Sequence, residues 1–151
     1  MRTKTALIIA VTLAVAVATI AAAAPTVPDV TNAQATLTIR SSDYGRILFD
    51  GRGRALYAFT ADSRNRSNCS GSCAAAWPPY IVTGRLRAGN GVDASLLRTI
   101  HRADGRRQVT YKGWPLYYYV GDTGPGVVRC QNVREFGGLW LVVRPNGSLV
   151  R

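Results

Sequence analysis

The sequence is poor in the side chains that usually carry acid–base chemistry. His101 is its one histidine and Glu135 its one glutamate. There is no Gly-x-Ser-x-Gly segment, and no Ser or Cys nucleophile is identifiably paired with His101, so a hydrolase centred on this residue lacks a partner. No glycine-rich phosphate cradle follows a strand and opens a helix, which leaves nucleotide binding without support. We therefore expect a protein that is not an enzyme and needs no cofactor.

Cysteine is also scarce, and its position excludes one kind of membrane attachment. The chain has three cysteines, and the first of them is Cys69. A bacterial lipoprotein carries its acyl chains on a Cys directly behind the N-terminal apolar run. We therefore expect no lipid anchor at the N-terminus.

The N-terminus has the pattern of a secretory signal peptide. Arg2 and Lys4 precede an apolar run at 6–20, and small alanines at 21–24 suit a signal peptidase. The alternative is an uncleaved anchor, because a spanning helix needs about 20 residues. We predict cleavage, no transmembrane segment after it, and a secreted or extracytoplasmic protein of the cell envelope or the extracellular space.

The sequence divides into three parts. Residues 1–24 are the predicted signal peptide, and residues 25–34 have few large apolar side chains and are predicted to be a linker. The remainder, 35–151, has the length of a single domain with a real core.

The exported part is strongly basic. Without Arg2 and Lys4, 17 of the 19 basic residues remain, against eight acidic ones. This balance favours an anionic cell-wall polymer or lipid headgroups as partners, with another envelope protein as a further option. Nucleic-acid binding would be electrostatic and without sequence specificity. The alternative is that the scattered arginines only form a solvated surface.

The apolar pattern predicts an all-β fold. Apolar and aromatic residues alternate with period two or form short β-rich runs at 35–39, 56–59, 108–111, 116–120 and 139–143, with Gly- and Asn-containing turns between them. Only Ala94 to Ile100 resembles a helix, so we expect one short helix at most. The prediction is a small, mainly antiparallel, sandwich or barrel-like domain.

Two related units recur, at about 43–84 and 99–147. Each has a strand, a tight turn, a second strand ending in Tyr-x-aromatic-x-x-Asp, a loop and a Trp. Two copies indicate a duplicated β-unit whose halves pack together, since one hairpin alone cannot bury its apolar face. The repeated positions are Tyr57, Phe59, Asp62 and Trp77 in the first unit, and Tyr117, Tyr119, Asp122 and Trp140 in the second.

These features resemble a known family. Beside the paired motifs stand Cys-Ser-Gly-Ser-Cys-Ala-Ala-Ala-Trp-Pro-Pro at 69–79 and Gly-Gly-Leu-Trp at 137–140. The combination, over nearly all of 42–147, is similar to the bacterial secreted-repeat family of predicted lipoproteins with a Tyr-x-(Phe/Trp/Tyr)-x-x-Asp motif. The resemblance implies export, an envelope location and tandem repeats, and no activity. The chain departs from the family in lacking the lipid-attachment Cys and in carrying Cys130.

The repeated residues allow two interpretations. Tyr57 and Phe59 are two apart on a strand and point to one face, as their second-unit counterparts do. Asp62 and Asp122 follow where each strand ends, where a carboxylate can accept backbone N–H bonds and fix a turn. Alternatively, the Tyr and Asp side chains form a symmetric ligand or cation site. The eight residues are therefore the candidate binding residues.

The cysteines define the alternative function. Cys69 and Cys73 are close enough to form a disulfide in an oxidising compartment. Cys130 can be a free thiol, pair with one of the others, or bridge two chains. A redox or metal-handling protein would use all three cysteines. A metal site would need ligands in addition to them, and His101 is the one histidine that the sequence offers. The main prediction is a non-enzymatic binding or interaction module that presents aromatic and Arg side chains on a rigid β-scaffold.

Overall fold

The computed structural model describes residues 35–151, so the predicted signal peptide and linker lie outside the described residues. Within this range the secondary structure is mostly short β-strands, which confirms the predicted all-β class. The elements are β1 (Ala35–Ser42), β2 (Gly45–Asp50), β3 (Tyr57–Phe59), α1 (Ser72–Ala76), β4 (Leu86–Ala88), β5 (Leu97–His101), β6 (Arg107–Tyr111), β7 (Trp114–Pro115), β8 (Val133–Glu135) and β9 (Gly138–Val142).

The strands form three small sheets of three strands each, in the orders β2-β1-β4, β3-β9-β8 and β5-β6-β7. The pairing is antiparallel except between β1 and β4, which run parallel. In β1 the buried Leu37 and Ile39 alternate with the half-buried Thr36 and Thr38, as the period of two predicts. The β6–β7 turn is made by Lys112 (φ 49°) and Gly113 (φ 79°), and two successive positive φ angles match the twist of a tight hairpin.

The two repeats are interlocked through their strand pairing. The first motif strand, β3, pairs with β9 of the second unit, so that Phe59 lies opposite Trp140. Conversely, the second motif segment runs beside the Trp77 segment, and the Tyr118 N–H donates to the Pro78 carbonyl at 2.8 Å. Each motif strand therefore lies against the tryptophan segment of the other repeat. The predicted strand at 116–120 makes these bonds without forming a regular ladder.

Two buried clusters fill the interior. One is mainly aliphatic and includes Leu37, Leu48, Val109, Leu116 and Val143. The other, which we call the aromatic core, contains the motif rings together with Ile47, Val142 and the disulfide-bonded cysteines. The aromatic core is where the two repeats meet, and it holds most of the predicted site residues.

The predicted helix at 94–100 is wrong beyond its first turn. The structure has a 3₁₀ turn at Ala94–Leu96, capped by the Asp93 side chain, and then the strand β5. The β-branched Thr99 and Ile100 suit a strand better than a helix, and pairing with β6 supplies the partner. The α-helix is instead α1, a short segment that buries Cys73. No helix within 35–151 is long and apolar enough to cross a membrane.

Candidate functional site

Tyrosine and aspartate side chains of the two repeats bond reciprocally at the centre of the molecule. The Tyr57 hydroxyl donates to Asp122 Oδ2 at 2.7 Å, and the Tyr117 hydroxyl donates to Asp62 Oδ2 at the same distance. All four side chains are buried. Each tyrosine thus bonds the aspartate of the other repeat, although its own repeat has an aspartate five residues further along the chain.

The second oxygen of each aspartate holds its own loop. Asp62 Oδ1 accepts the Asn68 N–H at 2.7 Å, and Asp122 Oδ1 accepts the Arg129 N–H at 2.9 Å. These are the local backbone bonds that the turn-fixing interpretation predicts for a carboxylate at a strand end. The bond to the opposite tyrosine adds a long-range constraint, so each carboxylate connects its loop to the other repeat.

Burial changes the proton affinity of these groups. It raises the pKa of Asp62 to about 6, against the opposing effects of the Asn68 N–H, the Tyr117 hydroxyl and the Arg102 charge. Burial is also the main cause that raises the pKa of Tyr57 and Tyr117, with the facing carboxylates adding to it. Both hydroxyls therefore keep their protons and act as donors to the carboxylates.

Four aromatic rings pack in a continuous row across the repeat boundary. Phe59 stacks on Trp140 at 4.2 Å between centroids and Trp140 stacks on Trp77 at 4.0 Å, while the Tyr119 ring packs on Trp77 at 4.6 Å with a tilt of 36°. The motif ring at each end lies on the tryptophan of the other repeat, and the two tryptophans meet in the middle. Stacked pairs of this kind add about 0.5–1.5 kcal/mol each to the free energy from burial.

The two indole N–H groups differ in their surroundings. Trp77 Nε1 donates to Glu135 Oε2 at 2.9 Å. Trp140 Nε1 is buried and has no hydrogen-bond partner in the described part of the chain. The role of Glu135 as the acceptor for Trp77 could not be found from the sequence, because the two residues are 58 positions apart.

The structure brings all eight predicted binding residues together. Seven of them are buried, and Tyr119 is half-buried. Their ring faces are largely covered by one another, so Tyr119 is the only one of the eight with substantial surface for a ligand to contact. Their geometry serves the joining of the repeats, and their role in binding a ligand stays a prediction.

A buried arginine that the sequence analysis missed supports this centre. Arg102, whose side chain is 6% exposed, donates to Ser67 Oγ at 2.8 Å, Gln108 Oε1 at 2.6 Å and the Cys69 carbonyl at 2.7 Å. Ser67 Oγ in turn lies 2.7 Å from the Tyr117 hydroxyl. Arg102 therefore connects the β5–β6 hairpin to the loop that bears the disulfide.

The residues of the alternative functions are dispersed. His101 is exposed at the end of β5, opposite Arg107. Cys69 and Cys73 form the predicted disulfide, while Cys130 is a free thiol, half-buried against the aromatic core. Burial raises the pKa of Cys130, which lowers its thiolate fraction and its reactivity. Within 35–151 no three His, Cys, Asp or Glu side chains are placed to hold a metal ion.

The surface is more cationic than the composition indicates. Residues 35–151 contain 17 basic and seven acidic residues. Three of the carboxylates, those of Asp50, Asp62 and Asp122, are buried in internal hydrogen bonds, which leaves four on the surface. Against them, 14 cationic residues are exposed: Arg40, Arg46, Arg52, Arg64, Arg66, Arg85, Arg87, Arg98, Arg106, Lys112, Arg129, Arg134, Arg144 and Arg151.

The two repeats match a known family model. The model is described as a secreted repeat of unknown function, and it matches residues 38–80 and 98–144. Each matched segment contains one Tyr-x-aromatic-x-x-Asp motif and the tryptophan that follows it. Neither a curated protein nor a solved structure matches the chain.

Proposed function

The chain belongs to the family of secreted repeats of unknown function, and we propose that it acts outside the cytoplasm as a non-enzymatic binding module for an anionic polymer of the cell envelope. Its secreted character comes from the family. The partner, the envelope location and the absence of catalysis are what we propose.

The excess of exposed cations carries the proposal. Folding removes three of seven carboxylates from the surface, while 14 of 17 basic residues remain exposed. Nearly all of these are arginines, whose planar guanidinium groups bind phosphate and carboxylate oxygens in pairs. A surface of this kind attracts polyanions and holds them by many weak contacts.

The interlocked core supplies the support that such a surface needs. The row of rings from Phe59 to Tyr119 and the reciprocal tyrosine–aspartate bonds fix the two repeats relative to each other. A rigid scaffold lowers the entropy that is lost when scattered arginines bind one ligand. In this proposal the aromatic motif builds the scaffold and the arginines make the contacts.

Retention on immobilised wall polymer tests the proposal. The purified protein is passed over a phosphodiester-linked wall teichoic acid, over a neutral glucan, and over vesicles containing anionic lipid, at a series of salt concentrations. We expect retention on the teichoic acid that falls steeply as salt rises, because each neutralised phosphate releases bound counterions. Stronger retention on the vesicles than on the polymer would identify lipid headgroups as the partner instead.

Charge variants separate specific contacts from bulk charge. Arg66, Arg129 and Arg134 are exposed, and their triple change to Gln should lower the slope of log affinity against log salt by about one for each phosphate that is no longer neutralised. The same three positions changed to Lys are the matched control and should keep the slope. Retention on teichoic acid no greater than on the neutral glucan would overturn the proposal.

A further inference from the structure

A polar cleft of about 440 Å³ opens beside the end of the β1–β2 hairpin, away from the aromatic core. Its wall includes Asp50 at the end of β2, Arg52 from the turn that follows, Thr36 from β1, and the rings of Tyr80 and Tyr118. The volume is at the lower end of the range for small-molecule sites in proteins, about 300–1,000 Å³.

The two tyrosine hydroxyls of this cleft already donate their protons in hydrogen bonds within the protein. The Tyr118 hydroxyl donates to Asp50 Oδ2 at 3.1 Å, and the Tyr80 hydroxyl donates to the Thr36 carbonyl at 3.0 Å. Burial raises the pKa of Tyr80 to about 12 and raises that of Tyr118 as well, so both hydroxyls stay protonated. Each hydroxyl oxygen keeps a lone pair for a further partner.

The carboxylate is held in place by the backbone. Asp50 is 6% exposed, and its Oδ1 accepts the N–H groups of Arg52 and Arg54 at 2.9 and 2.8 Å. Its Oδ2 accepts the Tyr118 hydroxyl, and a carboxylate oxygen has a second lone pair for another donor. The cleft therefore offers acceptors, and a matching ligand must bring donors such as hydroxyl groups.

Two arginines decide the charge of that ligand. Arg52 is exposed at the cleft, and the Arg54 guanidinium lies 4.4 Å from the centre of the Tyr118 ring. Two cations so close to the cleft disfavour an ammonium group, although ammonium is also rich in donors. A ligand with both hydroxyl donors and a negative charge satisfies the acceptors and the arginines together, and its apolar face suits the tyrosine rings.

The two repeats differ at this cleft. Tyr118 takes the place that Ala58 has in the first motif, and the Asp50-Gly51 turn corresponds to Lys112-Gly113 in the second unit. The contacts that join the repeats are present in both copies, whereas the cleft residues occur in one. These cleft residues therefore lie outside the set of contacts that the two copies share.

We propose that the cleft formed by Asp50, Arg52, Tyr80 and Tyr118 binds an acidic sugar, a sugar ring that bears a carboxylate or a phosphate. The ring hydroxyls donate to the tyrosine and Asp50 oxygens, and the acidic group lies at Arg52. The inference rests on the proposed function, since it names the unit of the anionic polymer that the protein recognises.

An NMR titration of the purified protein tests this assignment. The probes are glucuronate, glucose 6-phosphate, glucose and inorganic phosphate, with the amide signals of Gly51 and Arg52 followed at the cleft. We expect both acidic sugars to shift these signals, and glucose to bind about tenfold more weakly because it lacks the charged contact. The tighter of the two acidic sugars identifies a uronate or a phosphate-bearing polymer as the source.

Variants with matched controls locate the site. The double change Tyr80→Phe and Tyr118→Phe keeps the rings and removes both hydroxyls, and it should weaken binding of the acidic sugars about tenfold or more. Tyr44→Phe, in the exposed turn at the far end of the hairpin, is its control. Arg52→Gln should abolish the preference for acidic sugars over glucose, with Arg46→Gln as control. Because Arg52 is exposed, its change to Gln should not impair folding. The Arg52→Gln variant therefore tests the cleft assignment even if the double tyrosine variant does not fold.

The outcomes distinguish this inference from the proposed function. Cleft signals that neither acidic sugar shifts at tens of millimolar, or equal binding by the wild type and the Arg52→Gln variant, would overturn the cleft assignment. Salt-dependent retention on teichoic acid in the same variants would then leave polymer binding in place. Sugar binding without retention on the polymer would reject the proposed function and keep the cleft as a site for small acidic sugars.

Discussion

Tyr57 and Tyr117 lie side by side, and each donates its backbone N–H to the carbonyl oxygen of the other at 2.9 Å. Equivalent residues of the two repeats therefore pair with one another, as expected at a local two-fold axis. From this position each hydroxyl reaches the aspartate of the opposite repeat. Neither repeat completes its own buried hydrogen bonds, so the stability of each depends on the other.

The reciprocal hydroxyls should contribute similar free energies. Tyr57→Phe and Tyr117→Phe each leave a buried carboxylate without one of its donors, and we expect each to lower the free energy of unfolding by about 2–3 kcal/mol. Urea unfolding followed by tryptophan fluorescence measures the loss. Tyr44→Phe, whose ring is exposed, should change it by less than about 0.5 kcal/mol. Wild-type stability in either buried variant would contradict the assigned bonds.

The central tryptophan pair should be far more important for stability than the third tryptophan. Trp77→Ala and Trp140→Ala each remove a fully buried ring from the stack, which costs about 3–5 kcal/mol. Trp114 is half-buried beneath the Arg64 guanidinium, and its change to Ala should cost clearly less. Thermal unfolding of the three variants compares them directly. Equal losses at Trp114 and Trp77 would show that the stack adds nothing beyond ordinary burial.

Asp62 should make the protein less stable as the pH rises from about 4 to about 6. Its pKa is about 6 in the folded protein, above the ordinary value of 3.8. Between these values the folded state binds more protons than the unfolded state, so the free energy of unfolding falls with rising pH. A pKa that is raised by about two units lowers the free energy of unfolding by about 3 kcal/mol across this pH range.

Asp62→Asn removes this titration and tests it. The wild type should lose stability relative to the variant between pH 4 and pH 7, as measured by urea unfolding at each pH. Asp43→Asn, an exposed carboxylate of the β1–β2 turn, serves as the matched control. Parallel pH curves for the wild type and Asp62→Asn would mean that burial does not raise the pKa of Asp62.

The three cysteines should separate into one thiol and one disulfide. Without reduction we expect one alkylated cysteine by intact mass, at Cys130, and after reduction three. Changing Cys69 and Cys73 together to Ser should cost about 2 kcal/mol, because the closed loop is short. Cys130→Ser is the control that keeps the disulfide. A dimer mass that reduction abolishes would instead place Cys130 in a bridge between two chains.

Sequence reasoning recovered those features that depend on neighbouring residues. The strand at 35–39 follows from its alternating apolar and polar residues, and those at 56–59 and 108–111 follow from their aromatic and β-branched residues. The disulfide follows from the spacing of Cys69 and Cys73. The prediction of a helix failed in the segment where helix-forming and strand-forming residues follow each other. Ala94 to Ile100 has helix-forming residues at its start, but pairing with β6 makes its second half a strand.

The partners of the motif residues could not be predicted in the same way. The motif places Tyr57 and Asp62 five residues apart, which suggests contact within one repeat. The bond instead joins Tyr57 to Asp122, 65 positions away, because β3 pairs with a strand of the other unit. The burial of Arg102 could not be predicted for a similar reason, since its neighbours in sequence are those of an exposed turn.

The sequence by itself determined the all-β class, the duplication, the secreted family and the disulfide. The signals for these features are the apolar period, the turn residues and the motif spacing, and each depends only on residues that are close together in the chain. Only the tertiary structure decided that the repeats exchange their contacts, that three carboxylates leave the surface, and that Asp50 and two tyrosines enclose a cleft. These features depend on which distant strands pair. The pairing is set by the joint burial of all the aromatic-core residues, which are far apart in the chain.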